Sequence, residues 1–399
     1  MPERSVEHCR GIRRSDAEAK VTHSTSSRLR ILALEPYSTL SHLAFLEGFR
    51  KHSRHEVVLW TLPPRKWKWR MRGSAYHFAS LARARQDREQ PDVVLASDYL
   101  NLADWHALAP AGWRDAPSLL YFHENQITYP LGREAPVDFH YGWINLSSAL
   151  AADRVLFNSA YHRTSFLDEV QKVLARMPEP VPHGMVGDLQ ARSAVFPVGI
   201  DFEAHRAILR EPRRENGQPP VIVWNHRWEE DKDPDLLVDA LAGLIRRGVE
   251  FRAVICGQSF PVRPPAFDKL PALLGERLLH FGFFPDAGSY LRALRDANVV
   301  LSTARHEFFG VAVVEALFLG CVPVLPAALS YPEILPEPFH EKLLYARRED
   351  VVATLEDALL HPPEGCVEVL QKTAAEFDWA LLAPRLDAIL DDTARERRA

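Results

Sequence analysis

Thr303–Val324 reads TARHEFFGVAVVEALFLGCVPV, and the order of residue types in this stretch decides the fold. The apolar run Asn298–Ser302 leads into it as a strand, Phe309 and Gly310 make a tight turn, and a helix of small and apolar residues then runs toward Gly320 and Pro323. Strand, loop and helix N-terminus in that order offer open backbone N–H groups and the positive end of a helix dipole to an anion. Glu307 falls just before the helix and Glu315, eight positions on, about one turn inside it. The stretch reads as a phosphate cradle with a carboxylate on each side. The alternative is an ordinary βα unit whose two glutamates are solvated.

Working outward, the same alternation recurs. VIVWNHRW after the polar linker Glu211–Pro220 is a strand whose end carries Arg227, with Lys232 following just ahead of a helix that starts near Pro234. Two cations before a helix N-terminus suit a pyrophosphate, which must be neutralised as a group departs from it. The competing reading is a surface ion-pair cluster with Glu229, Glu230, Asp231 and Asp233. FRAVICGQ, ending at Gly257–Gln258, and LLHFGFFP add further strands. In the first half, RILALEPY, Glu56–Leu62, PDVVLASD, SLLYFHENQITYP and RVLFNSAYHRTSF give five more, the last running on into a helix, and Met177–Leu189 reads as a loop. Strands alternating with helices imply parallel sheets, and 399 residues suit two such domains.

Polar residues gather at strand ends, where α/β proteins bind ligands. Asp98 ends one strand; His123, Glu124 and Asn125 end the next, against the alternative of a satisfied core histidine. The loop after the first strand, Pro36–His42, contains no glycine, so close backbone approach of a phosphate is in doubt there. Ser38, Thr39, Ser41 and His42 are its candidate ligand contacts, unless Ser41 merely caps the helix expected over His42–Lys51. Arg65, Lys66, Trp67, Lys68, Trp69, Arg70 and Arg72 interleave five cations with two indoles, a mixture that suits phosphates and stacked bases. Equally, Trp67 and Trp69 could pack on the domain beneath solvated basic heads.

The Glu-x7-Glu spacing with Phe-Gly after the first glutamate resembles the donor motif of retaining family 4 glycosyltransferases of the GT-B fold. That resemblance covers Leu29 to about Leu390 and implies two Rossmann-like domains facing a central cleft. Their expected limits are 28–200 for the acceptor domain and 201–377 for the donor domain, with 378–399 a helix returning to the first domain and 1–27 a disordered leader. It further implies Glu307 and His123 on the donor sugar, Arg227, Lys232 and the Phe309–Gly310–Val311 backbone on the diphosphate, and Glu315 on the ribose. Gly257 is assigned to the donor site with them. Four longer strings, LPPRKWKWR, FHENQITYP, NHRWEEDKDP and LSYPEILP, resemble the tRNA-queuosine alpha-mannosyltransferase family. That narrower likeness implies mannose transfer, with retention and without metal or other cofactor, from GDP-mannose to the queuosine of an aspartate tRNA. Arg65–Arg72, Ser41, His42, Glu124 and Asn125 are then the acceptor contacts.

Composition sets bounds on this reading. A net charge of -5 leaves a local patch as the anchor for any polyanion. Cys9, Cys256, Cys321 and Cys366 form no C-x-x-C pair, and Cys256 and Cys321 read as buried thiols, which suits a reducing cytoplasm. No run approaches the roughly 20 apolar residues of a membrane span, and no membrane association is expected. Two other classes compete: a family 4 transferase acting on a glycan, lipid or small molecule, and an inactive RNA-binding GT-B module. Retention of Arg227, Lys232, Glu307 and Glu315 argues against the latter.

Overall fold

The structure is a computed structural model that describes residues 28–85, 89–129, 139–178, 180, 182, 184–212 and 217–396. The leader expected over 1–27 lies outside the described residues. Six strands form a first parallel sheet: β1 (Arg30–Glu35), β2 (Glu56–Thr61), β3 (Val93–Ser97), β4 (Ser118–Phe122), β5 (Arg154–Phe157) and β6 (Ser193–Val195), in the order β2-β1-β3-β4-β5-β6. Six more form a second: β7 (Val221–Asn225), β8 (Arg252–Cys256), β9 (Leu278–Gly282), β10 (Val299–Leu301), β11 (Val322–Pro326) and β12 (Leu344–Tyr345), ordered β12-β11-β10-β7-β8-β9. VVLAS, SLLYF and VIVWN are buried along their whole length because helices cover both faces of each sheet, which is why these strands are near-continuous apolar runs. This is the α/β GT-B architecture.

Both sheets reverse strand order at one point, between β1 and β3 in the first and between β7 and β10 in the second. Ligands of open α/β sheets bind beyond the carboxyl ends of the strands at such a reversal. The segments after β1, β3, β7 and β10 are therefore the ones that matter; the loops after β3, β7 and β10 carry Asp98, Arg227 and Glu307, and the first turn of the helix after β1 carries His42.

The chain crosses between the sheets at Phe196–Phe202, where Ile200 pairs with the segment before the last helix: Ile200 N donates to Phe377 O (2.8 Å) and Trp379 N to Ile200 O (3.0 Å). The last helix, Trp379–Glu396, packs on the first half of the chain. Trp379 is fully buried against Phe45 and Phe49, and a Cβ at Gly48 or Gly199 would come within 2.2 and 2.3 Å of its ring, so glycine makes room for the indole at both places. Asp387 accepts from Ser53 Oγ (2.6 Å) and Arg54 N (3.0 Å) on the same surface.

Three local expectations change. The first helix begins at Leu40 and is capped by Thr39, whose hydroxyl accepts from His42 N, so Ser41 is not the cap. Within the tract expected as a loop, Met185–Ala191 forms a short helix that buries Leu189; the Pro-rich residues before it mask so short an amphipathic signal. A helix at Cys366–Ala375, unexpected from the sequence, packs against the helix Val311–Phe318.

Candidate active site

On the β7–β10 side, Glu307 lies between the last residues after β10 and the helix Val311–Phe318. Lys232 reaches it from the turn before Pro234: Nζ donates to His306 O (2.6 Å) and to Glu307 Oε2 (3.3 Å), with Asp231 at 3.1 Å. Burial pushes the Glu307 carboxyl upward, but Lys232 and then His226 and His306 outweigh that and hold it at about 2. The turn bringing Lys232 inward uses Asp233 at φ 48°, a residue type that tolerates the left-handed region, whose carboxylate also caps the next helix through Leu236 N (3.2 Å). Arg227 extends from the end of β7 with Glu229 at 3.2 Å, and its charge is felt by Tyr129 and Glu124 of the first half. The two cations expected at the diphosphate therefore border one cleft, Lys232 buried and Arg227 half open.

Gly310, at φ 101°, starts the helix, and no side chain caps it. Phe309 N turns instead toward Glu307 Oε1 (3.4 Å), so of the backbone expected on the diphosphate, Phe309 supplies its N–H to Glu307. Glu315 sits one turn inside the helix; Tyr290 Oη donates to it (2.9 Å) and His205 Nε2 lies 3.5 Å away. Tyr290 is fixed in turn by Asn225 Nδ2 (3.1 Å) at the end of β7. Gly257, at φ 144°, follows β8 beside the loop that carries Arg227. A Cβ there would lie 1.8 Å from His226 O, so the glycine lets the end of β8 run against the backbone that carries Arg227.

The β1–β3 side holds a buried polar cluster. His42 Nδ1 lies 3.1 Å from Glu35 Oε2, and its ring stacks on that of His123 with centroids 4.0 Å apart and planes 20° apart. Burial draws the His42 imidazole down, but the fully buried Glu35 carboxylate dominates and raises it to about 9. His123, pressed by burial and by His42, is held well below the usual range and stays neutral. Its backbone N–H donates to Asp98 Oδ1 (2.9 Å) and its carbonyl accepts from Asn158 Nδ2 (2.9 Å), which fixes the end of β4. Glu35, His42 and His123 bring ligand atoms within 4.8 Å of one another, the separation a metal trio has. Tyr99 donates to Glu124. Asn125 differs from expectation: fully buried, it accepts from Ile127 N (3.0 Å) and Thr128 N (2.9 Å) and shapes its own turn rather than facing a ligand. Ser41 is exposed beside Thr39, 3.2 Å from its hydroxyl.

The two sides meet. Glu333 accepts from Ala160 N (2.7 Å) and Tyr161 N (2.6 Å) at the start of the helix Ala160–Leu174, His162 stacks on Phe308 (3.8 Å, 18°), and Tyr129 meets His306 edge-on (4.7 Å). None of these contacts was read from the sequence; a lone Glu333 in a Pro-containing turn gives no local signal of a partner far along the chain.

The basic segment forms the start of the helix Trp67–Arg83. Trp67 packs on Tyr141 (4.9 Å), as the packing alternative holds, whereas Trp69 is 65% exposed. Arg65, Lys66, Lys68 and Arg72 are exposed, and Arg70 Nε reaches Pro63 O (3.3 Å).

Comparison with known proteins gives the family of the chain. Residues 30–200 match the family described as tRNA-queuosine alpha-mannosyltransferase N-terminal, and residues 205–372 match glycosyl transferases group 1. A tRNA-queuosine alpha-mannosyltransferase of Drosophila melanogaster is 40% identical over 319 residues, which is 77% of this chain and 82% of the relative. A GDP-mannose-dependent alpha-(1-6)-phosphatidylinositol dimannoside mannosyltransferase of Mycobacterium tuberculosis is 32% identical over 36% of this chain and 38% of its own. Among solved structures, sucrose-phosphate synthase from Thermosynechococcus elongatus superposes with a TM-score of 0.66 at 15% identity, over 92% of this chain and 100% of that one. No helix among the described residues is long and apolar enough to cross a membrane.

Proposed function

The chain belongs to the tRNA-queuosine alpha-mannosyltransferase family and is a glycosyltransferase, and from that premise we propose that it transfers mannose from GDP-mannose to the queuosine of an aspartate tRNA, with retention, in the cytoplasm. The observation that carries the reading is the pairing of Arg227 and Lys232 with an uncapped helix start flanked by Glu307 and Glu315 at the strand reversal of the second sheet. In this reading the diphosphate lies against Arg227, Lys232 and the amides at Gly310 and Val311, and Glu315 takes the ribose hydroxyls. Glu307 and His123 orient the sugar from opposite sides of the cleft. Neutral His123 has one donor and one acceptor nitrogen, which suits a hydroxyl group.

The bond from the anomeric carbon to the phosphate oxygen breaks as the bond from the same carbon to the acceptor oxygen forms on the same face. The acceptor's proton passes to the departing phosphate oxygen, so no metal and no enzyme nucleophile take part. Arg227 and Lys232 stabilise the charge that grows on the leaving diphosphate. The exposed cations of Arg65–Arg72 hold the acceptor's phosphates.

The test incubates the protein and GDP-mannose with tRNA from cells that make queuosine and from cells that do not. A hexose mass increment on the modified nucleoside in the first pool alone is the expected result. Equal labelling of both pools, or labelling of a lipid or glycan instead, would remove the tRNA assignment while leaving a GT-B transferase.

A further inference from the structure

Five large aromatic side chains are exposed among the described residues, Trp69, Tyr76, Phe139, Trp143 and Phe283, and four of them lie on two helices that touch, Trp67–Arg83 and Phe139–Ala151. Such concentration is not the scatter of single exposed apolar residues that any surface carries. Trp69 and Tyr76 are two turns apart on one face, and Gly73 lies between them. A Cβ at Gly73 would come within 2.9 Å of Trp69 Cε2 and Cζ2, so the indole lies down on the helix and turns its other face to solvent. Phe139 and Trp143 are one turn apart on the second helix, 49% and 38% exposed.

The seam between the helices is basic. Lys68 Nζ is 5.6 Å and the Arg72 guanidinium 5.0 Å from the ring of Tyr141, which also meets Trp67. Lys66 and Arg65 are exposed at the start of the first helix. Beneath the seam, Met71, Tyr141 and Ile144 pack with Tyr99, the residue that donates to Glu124 and whose ring centroid lies 5.9 Å from that of His42. The basic seam thus packs on residues that reach the rim of the active site.

We propose that Trp69, Tyr76, Phe139 and Trp143 form a stacking platform for unpaired nucleotides of the tRNA beside the nucleoside that receives the sugar, with Lys68 and Arg72 in the seam on the backbone phosphates. The proposal rests on the tRNA reading above and adds the part of the acceptor recognised. Rings interleaved with cations fit single-stranded nucleic acid, whose bases expose their faces; a duplex hides them. A bilayer-binding helix presents aliphatic side chains among its aromatics. On these two helices every exposed large apolar side chain is aromatic.

The experiment measures binding of the full chain, with GDP present, to a labelled unstructured oligoribonucleotide and to a blunt RNA duplex of equal phosphate count. The single strand is expected to bind tighter and to quench tryptophan fluorescence. Trp69→Ala and Trp143→Ala should each weaken it by roughly five- to hundredfold, and Trp69→Phe much less. Thermal stabilisation by GDP reports that each variant is folded. Aromatic variants that bind like wild type while Lys68→Glu and Arg72→Glu weaken binding would leave phosphate contact alone and overturn the platform. Wild-type protein that ignores RNA and floats with anionic vesicles, or dimerises through Trp143, overturns platform and tRNA reading together. Trp69-dependent RNA binding without hexose transfer to queuosine keeps the platform and retires only the acceptor.

Discussion

Glu35→Gln separates charge from shape in the buried pair at the end of β1. Glutamine keeps an acceptor for Tyr37 N, which Glu35 Oε1 takes at 2.8 Å, but it cannot hold a proton on His42. His42 is raised from 6.5 to about 9, so its folded value exceeds its unfolded one: the stabilisation is complete below about pH 6.5 and is lost as pH rises through about 9. The proton contributes about 3 kcal/mol at pH 6, about 2 kcal/mol at pH 7.5 and nearly nothing at pH 10. In the variant, His42 stays buried and neutral throughout while the unfolded imidazole still takes up its proton, so wild type should exceed it by about 4 kcal/mol at pH 6, and the gap should close by pH 10. Asp98, Glu124, Tyr99 and His123 face the pair from β3, β4 and their loops and are common to both proteins. Urea denaturation of both proteins across this range gives the gap, and nitrogen NMR of the His42 ring gives its pKa directly. A gap that does not change with pH, or a native His42 that titrates at or below 6.5, refutes the argument.

Arg227→Ala and Lys232→Ala should each lower turnover by about 10² to 10³ in a folded protein, because each removes charge that acts on the departing diphosphate; near-wild-type turnover in either would move the donor elsewhere. Lys232→Ala also leaves Glu307, now held at about 2, without its main partner, so a mannose-transfer profile with a new acidic limb above that value is expected in any residual activity. Glu315→Ala should raise the dissociation constant for GDP, read by calorimetry, with a smaller effect on kcat, since a ribose contact changes little toward the transition state. Glu333→Ala removes both acceptors of the Ala160 and Tyr161 amides and should shift the molecule toward an open cleft by roughly tenfold, seen as a larger radius of gyration in solution scattering. An unchanged radius would mean that the His162–Phe308 stack suffices to hold the halves together.

Residues acting through local spacing were legible, and those acting through distant partners were not. Glu307 and Glu315 bracket a helix start because a turn and a helical period are written within one short stretch, and Arg227 and Lys232 fall before a helix for the same local reason. Continuous apolar runs marked the buried strands. Asn125 shows the limit from the other side: a polar residue at a strand end looks ligand-facing in sequence, yet its amide is consumed by the two N–H groups that follow it. Gly257 shows it too, since its need for a missing Cβ comes from His226 on a neighbouring strand.

The basic helix makes the same point in physical terms and ties it to function. RKWKWR is one motif in sequence, but Lys66 at φ 53° sets where the helix begins and therefore its phase. That phase turns Trp67 onto Tyr141 and leaves Trp69 outside, two positions away and about 200° round the helix. One indole thus anchors the helix and the other is free to meet a partner, so the two tryptophans cannot exchange roles without rewinding the first turn. The second aromatic pair, Phe139 and Trp143, is carried by the neighbouring helix, whose Tyr141 packs against the basic one. A surface assembled from two helices in this way suits a flexible strand laid across the rim, whereas Arg227, Lys232 and Glu307 follow the rigid strand ends of the other sheet. Glu333 on the Ala160 and Tyr161 amides and Phe308 on His162 hold the two sides together across the cleft.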